Sequence, residues 1–166
     1  MIRIIGYRGI KKRSWLIRIF TRKKHDHVGF LLDDGRVADA RIKGGFDIYT
    51  EHNQTNAIVD IYALDIIEEQ HKLLRNLILE HAGRHDYDLA GVTGYALSKI
   101  FDRKSFQSRR RWFCSEAVVI LLRLAGVIIF DGYHPHQISP GKLLKDASMI
   151  RKITTCLLVN GKLQGG

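Results

Sequence analysis

The chain has 166 residues, 45% of them hydrophobic, 27% charged and only 2 of them proline, which excludes a disordered chain and favours one core over a two-domain cleft. Twenty-seven Lys and Arg against seventeen Asp and Glu leave a formal charge of +10, which bears on partners and favours phosphate-bearing ones: an anionic membrane face, an anionic substrate or nucleic acid. Two cysteines without a CxxC spacing exclude a disulfide framework and a zinc knuckle, so a reducing, cytoplasmic setting is expected.

Residues 1–5 alternate as a short strand, and Gly6 and Gly9 then read as turn signals. Ser14 caps a helix over 15–22 that sets Leu16, Ile19 and Phe20 on one face and Arg18 and Arg22 on another. Residues 1–24 hold nine bases and no acid, so this helix suits either core packing with a wet basic face or contact with an anionic membrane surface. Residues 27–42 form the clearest hairpin, with Asp33, Asp34 and Gly35 as turn between two β-prone runs.

A strand follows at 57–64, and Asp65 with Glu68 has capping-box spacing for a helix whose apolar stripe is Leu73, Leu74, Leu77 and Ile78. Gly83 ends that helix; a second runs from about 88 to 101, and a basic linker spans 102–111. The segment from Cys114 to Leu124 is helical and mostly apolar, with Gly126 as its stop, so it belongs in the core. Ser139 and Pro140 open a short helix, and 149–163 reads as strands turning at Asn160 and Gly161. Blocks of strands and helices with sequential hairpins predict an α+β domain on an antiparallel sheet. The longest apolar run, 117–130, is broken by Arg123 and too short to span a bilayer, and the N-terminus lacks a signal-peptide core, so a soluble intracellular protein is expected. No GxGxxG, P-loop or HExxH occurs, and no cofactor or metal is predicted.

Cys114 stands at a helix start, where unpaired amides and the positive dipole end stabilise a thiolate; the competing reading is an inert buried cysteine. His27 opens the hairpin and supplies the base for a Cys-His nucleophile. If Asp33, Asp34 and Gly35 form a three-residue loop, Leu32 closes against Arg36, His27 falls opposite Arg41, and Asp39 lies one diagonal away on the same face. Asp39 can then hold the second imidazole nitrogen, whereas a two-residue turn would put it on the far face. His25 shares the parity of His27 and competes with it, but is expected frayed or exposed. A zinc site built from His25, His27, Asp39 and Cys114 is an alternative use of the same cluster, and His134 and His136 read as loop residues. Trp112, and Tyr87 beside Asp88, are candidates to line a substrate cleft, against a reading as core packing; Cys156 reads as structural.

The order histidine, polar residue, then cysteine at a helix start, spelled HVGF, ADA and WFCSEAVV, resembles the circularly permuted NlpC-type papain-like cysteine hydrolases, a group that includes lecithin:retinol acyltransferase-like proteins. GRHDYD at 83–88 is similar to that group's Tyr-Asp element, and ISPGKL at 138–143 to its Ser-Pro helix start. The resemblance implies a single permuted papain-like domain over 1–166, with an antiparallel sheet packed against helices. It also implies thiolate attack on an amide or ester through a thioester, with Cys114 as nucleophile, His27 as base and Asp39 in the third position, where some relatives carry histidine or glutamate. The expected substrate is a peptide or cell-wall-type amide. The alternatives are an acyl-lipid substrate on an anionic membrane, or a basic nucleic-acid-binding module without activity, the last disfavoured because no recognition element stands out.

Overall fold

The computed structural model describes residues 1–9, 25–52, 54–87 and 111–164, with the side chains of Tyr87 and Arg111 excepted. The helices predicted at 15–22 and 88–101, and most of both basic runs, lie outside the described residues.

Nine strands run β1 (Arg3–Gly9), β2 (His27–Leu31), β3 (Val37–Arg41), β4 (Gly45–Tyr49), β5 (Ala57–Leu64), β6 (Asp86–Tyr87), β7 (Arg111–Trp112), β8 (Ile150–Val159) and β9 (Lys162–Gln164) among the described residues. Three helices accompany them: α1 (Glu68–His81), α2 (Cys114–Leu124) and α3 (Pro140–Asp146). Seven strands make one curled sheet in the order β4-β3-β2-β1-β5-β8-β9, antiparallel at each pairing. The fold is α+β, as the blocks of strands and helices predict. The two-residue ladder of β6 and β7 is parallel and carries no periodicity from which it could be read.

The sheet has two buried faces. On one, Ile4, Val28, Phe30, Ala38, Ala40 and Tyr62 meet the helices, which contribute Leu74 and Ile78 from α1, Val118 and Leu122 from α2, and Leu143 and Leu144 from α3. On the other, alternate residues Ile5, Tyr7, Leu31, Val37, Val59, Ile61 and Leu158 close on themselves, with Cys156 among them as a buried structural thiol. α2 packs across β2 and β3, which brings its first turn toward the start of the hairpin. None of the described helices is long and apolar enough to cross a membrane.

Local chemistry accounts for most element ends. Asn160 and Gly161, at φ 50° and 77°, make the turn between β8 and β9. Gly126, at φ 77°, follows α2, and the Ser139 hydroxyl accepts the Lys142 amide at the start of α3. Three expectations are corrected. β1 runs through Gly6, which pairs with Val28 and Asp60, instead of turning there; the position is glycine because a side chain would collide with Leu144 Cδ1. α1 begins after Ile67, not Asp65: Gln70 Oε1 accepts the Ile67 amide at 3.3 Å, while the Asp65 carboxylate takes Arg151 Nε at 3.4 Å. Within the predicted stripe of α1, Leu73 is exposed and His71 takes the inner position.

Candidate active site

The β2–β3 hairpin sets the geometry. Gly35, at φ 84°, lets the loop close with the Leu32 amide on the Arg36 carbonyl at 2.9 Å and the Gly35 amide on the Leu32 carbonyl at 3.1 Å. The register pairs Phe30 with Ala38 and Leu31 with Val37; continued, it sets Gly29 against Asp39 and His27 against Arg41. The diagonal expected from the three-residue loop is therefore formed, and His27 Nε2 donates to Asp39 Oδ2 at 2.7 Å with both residues buried.

That diagonal depends on Gly29, whose role the sequence reading leaves unexplained. A methyl group there would stand 2.7 Å from Asp39 Cβ and 2.9 Å from the Ala38 carbonyl oxygen. The glycine of HVGF thus clears the floor on which Asp39 sits. Across from His27 stands Tyr7 of β1, ring centroids 5.7 Å apart, with its hydroxyl hydrogen-bonded to His52 Nδ1 at 2.8 Å. Burial, reinforced by the charge of Asp39, raises the Tyr7 phenol and keeps it neutral.

Cys114 is the first residue of α2 and is 5% exposed. The turn it opens is tied down: Glu116 Oε2 accepts the Phe113 amide at 3.4 Å, and the Ser115 hydroxyl donates to the Ile138 carbonyl at 2.6 Å. Strand and helix begin at the same place, so His27 meets Cys114 by hydrogen bond and by charge. With Nε2 on Asp39, the nitrogen left for the sulfur is Nδ1. Burial alone would pull the imidazole down, but the charges of Cys114 and Asp39, with hydrogen bonds to both, push His27 up to about 10. Cys114, His27 and Asp39 are one contiguous chain of side chains.

The chain extends one residue further. Arg41 Nε donates to Asp39 Oδ1 at 2.7 Å, its Nη2 donates to the Glu51 carbonyl at 2.6 Å, and its guanidinium lies 3.6 Å from the Tyr49 ring centroid. The signal was available, since the predicted register already placed Arg41 opposite His27.

His25 is not frayed or exposed; that expectation is corrected. It donates from Nε2 to the buried Asp60 at 2.7 Å and is 11% exposed. The shared parity with His27 fails because the chain bends at Asp26, whose amide donates to the Tyr7 carbonyl at 3.1 Å, before β2 begins. Among the described residues no group of three or more His, Cys, Asp or Glu is arranged to hold a metal ion, and the zinc alternative loses His25 to Asp60. His134 and His136 stack on each other at 5.4 Å at the 3₁₀ turn Pro135–Gln137.

Trp112, two residues before the nucleophile, is 5% exposed; it stacks on His85 at 3.7 Å and meets Phe46 edge-on at 5.7 Å. Its neighbour across the ladder is Tyr87, whose backbone alone is described. Trp112 is therefore a wall between core and active-site turn. Comparison of the sequence with protein-family models and with curated proteins gives no match.

Proposed function

We propose that the chain is a cysteine hydrolase of permuted papain-like fold, acting on an amide bond of a peptide or cell-wall-type substrate through a thioester. The observation that carries this reading is the buried Cys114–His27–Asp39 chain, nucleophile at a helix start and base oriented by a carboxylate. The order of these residues along the sequence is the one that the NlpC-type resemblance implies.

In the proposed reaction the Cys114 thiolate attacks the carbonyl carbon, and the carbonyl electron pair moves onto oxygen near the unladdered amides of the α2 start. Collapse expels the amine, which takes the proton from His27 Nδ1, and leaves a thioester on Cys114. Water then gives a proton to Nδ1 as its oxygen attacks the thioester, and the acid product departs as the thiolate reforms. Asp39 keeps Nε2–H engaged throughout, so the ring presents Nδ1 at each proton transfer. Trp112, packed on His85 and Phe46, backs the turn that carries the sulfur in this reading.

The formal charge of +10 favours a second substrate class, an acyl lipid presented on an anionic surface, with the thioester then passed to water or to an acceptor amine. Incubation with an oligopeptide panel and, separately, with phosphatidylcholine/phosphatidylserine vesicles, each followed by intact mass, distinguishes the two. An acyl adduct on Cys114 from one class identifies the substrate type. No adduct from either class, with an activated ester such as p-nitrophenyl acetate also inert, contradicts the hydrolase reading.

A further inference from the structure

We infer that Arg41 is a positioning residue of this site: it clamps the Asp39 carboxylate in the orientation that serves His27 and balances the negative charge shared by Asp39 and Cys114. The inference rests on the thiol-hydrolase reading of Cys114 and extends it by one residue.

The geometry is specific. Asp39 is buried and has two oxygens with two different partners, Oδ2 on His27 and Oδ1 on Arg41, each at 2.7 Å. A carboxylate held by one oxygen alone can rotate about its Cβ–Cγ bond; held by both, it cannot without breaking a charge-assisted bond. Arg41 is itself fixed on three sides, by Asp39, by the Glu51 carbonyl and by the face of Tyr49. This is the use to which the planar guanidinium fork is suited and the ammonium of lysine is not.

Arg41 also decides the charge balance. Thiolate, imidazolium and carboxylate would leave one net negative charge in a buried site, and Arg41 brings the four groups to neutrality. Among the described residues, the titratable groups around them include Tyr7 from β1, Asp47 and Tyr49 from β4, His52 after β4, and Glu116 in the first turn of α2, which caps the Phe113 amide. Tyr7 is held neutral by its burial, and His52 is pushed down by burial and by Arg41, so neither supplies a compensating cation. Among the described residues, Arg41 is the cation in direct contact with Asp39 besides His27.

Removing that cation disfavours the thiolate and favours the imidazolium, so both pH limits of the reactive pair move upward. The test is the rate of iodoacetamide alkylation of Cys114 in the full chain between pH 4 and 10, with peptide mass as readout, for wild type, Arg41→Ala, Arg41→Gln and Arg41→Lys. The inference predicts that the acid limb moves up by about 1 unit in Arg41→Ala and Arg41→Gln. In Arg41→Lys, which keeps the charge, it stays near its wild-type position. If Arg41→Ala does not fold, the Gln and Lys variants decide alone. A wild-type acid limb that none of the variants moves, or that Lys moves as far as Gln does, overturns the inference and leaves Arg41 a strut of the β3–β4 edge. Alkylation of wild-type Cys114 no faster than that of Cys156 overturns the hydrolase reading, and this inference with it.

Discussion

Two histidines only two residues apart, His25 and His27, make the same bond, Nε2 to an aspartate Oδ2 at 2.7 Å, on opposite faces of one sheet. Around Asp60 stand cations and a hydroxyl: Arg8 at 3.0 Å, Lys152 at 2.7 Å and Thr155 at 2.6 Å. Around Asp39 stand, among the described residues, the cation Arg41 and, beyond the imidazole, a thiol. The surroundings drive the two rings apart. His25 is pulled down, chiefly by burial, with Arg8 and Lys152 adding to it, whereas His27 is pushed up to about 10 because its far side meets Cys114. A histidine–aspartate pair is therefore not a catalytic motif by itself; the charges around the aspartate and around the ring set which way the imidazole is shifted.

The comparison breaks most visibly at the carboxylates. Asp39→Asn is expected to slow acylation of Cys114 by about 1,000-fold or more, by freeing the imidazole to take the wrong tautomer, and to cost about 2 kcal/mol of stability by leaving Arg41 without its carboxylate. Gly29→Ala attacks the same pair by steric means. The added methyl displaces Asp39, with a comparable loss of reactivity and a destabilisation of about 1–3 kcal/mol, measurable by denaturant titration. Asp60→Asn is the mirror case: it should cost about 2 kcal/mol of stability by leaving partners of a buried carboxylate unmatched, with the rate of Cys114 alkylation unchanged.

Thermal unfolding across pH sharpens the contrast, because the two rings are shifted in opposite directions from an unfolded value of about 6.5. His27 is raised, so its stabilising contribution is full below about 6.5 and fades as pH climbs toward about 10. His25 is lowered, so its contribution is full above about 6.5 and fades as pH falls. His27→Ala should flatten the alkaline decline in melting temperature, and His25→Ala the decline on the acid side of 6.5. Asp60, held down to about 2 by hydrogen bonds from Lys152, Thr155 and His25 that outweigh its burial, adds a further loss only as pH drops from about 3.9 toward that value. The smallest effect lies outside both pairs: Ser139→Ala removes the α3 cap and should cost about 1 kcal/mol with no change in reactivity.

These two regions also mark what the sequence disclosed. The His27–Asp39 diagonal was legible because Asp33, Asp34 and Gly35 fix a loop length, a loop length fixes a register, and a register decides which side chains share a face. The cysteine at the start of an apolar helix was legible from the run that follows it. The His25–Asp60 pair was not, because it depends on a bend at Asp26 and on a strand 35 residues away, neither of which leaves a periodic trace. Gly6 misled for a related reason. Its smallness serves Leu144 and His25 packing against β1, a long-range demand that looks locally like a turn. Gly29 and Arg41 were in plain view, yet their roles emerge only once the hairpin is folded and Asp39 has two neighbours.

That the sulfur of Cys114 raises His27 while His25 stands apart is tested most directly by imidazole ¹⁵N shifts measured by NMR against pH, in wild type and in Cys114→Ala. The account predicts a wild-type His27 that stays protonated past neutrality, with its midpoint falling by more than about 1 unit when the sulfur is removed, and a His25 midpoint below about 6.5 that ignores the change. A His27 that titrates near 6.5 in both proteins would contradict it.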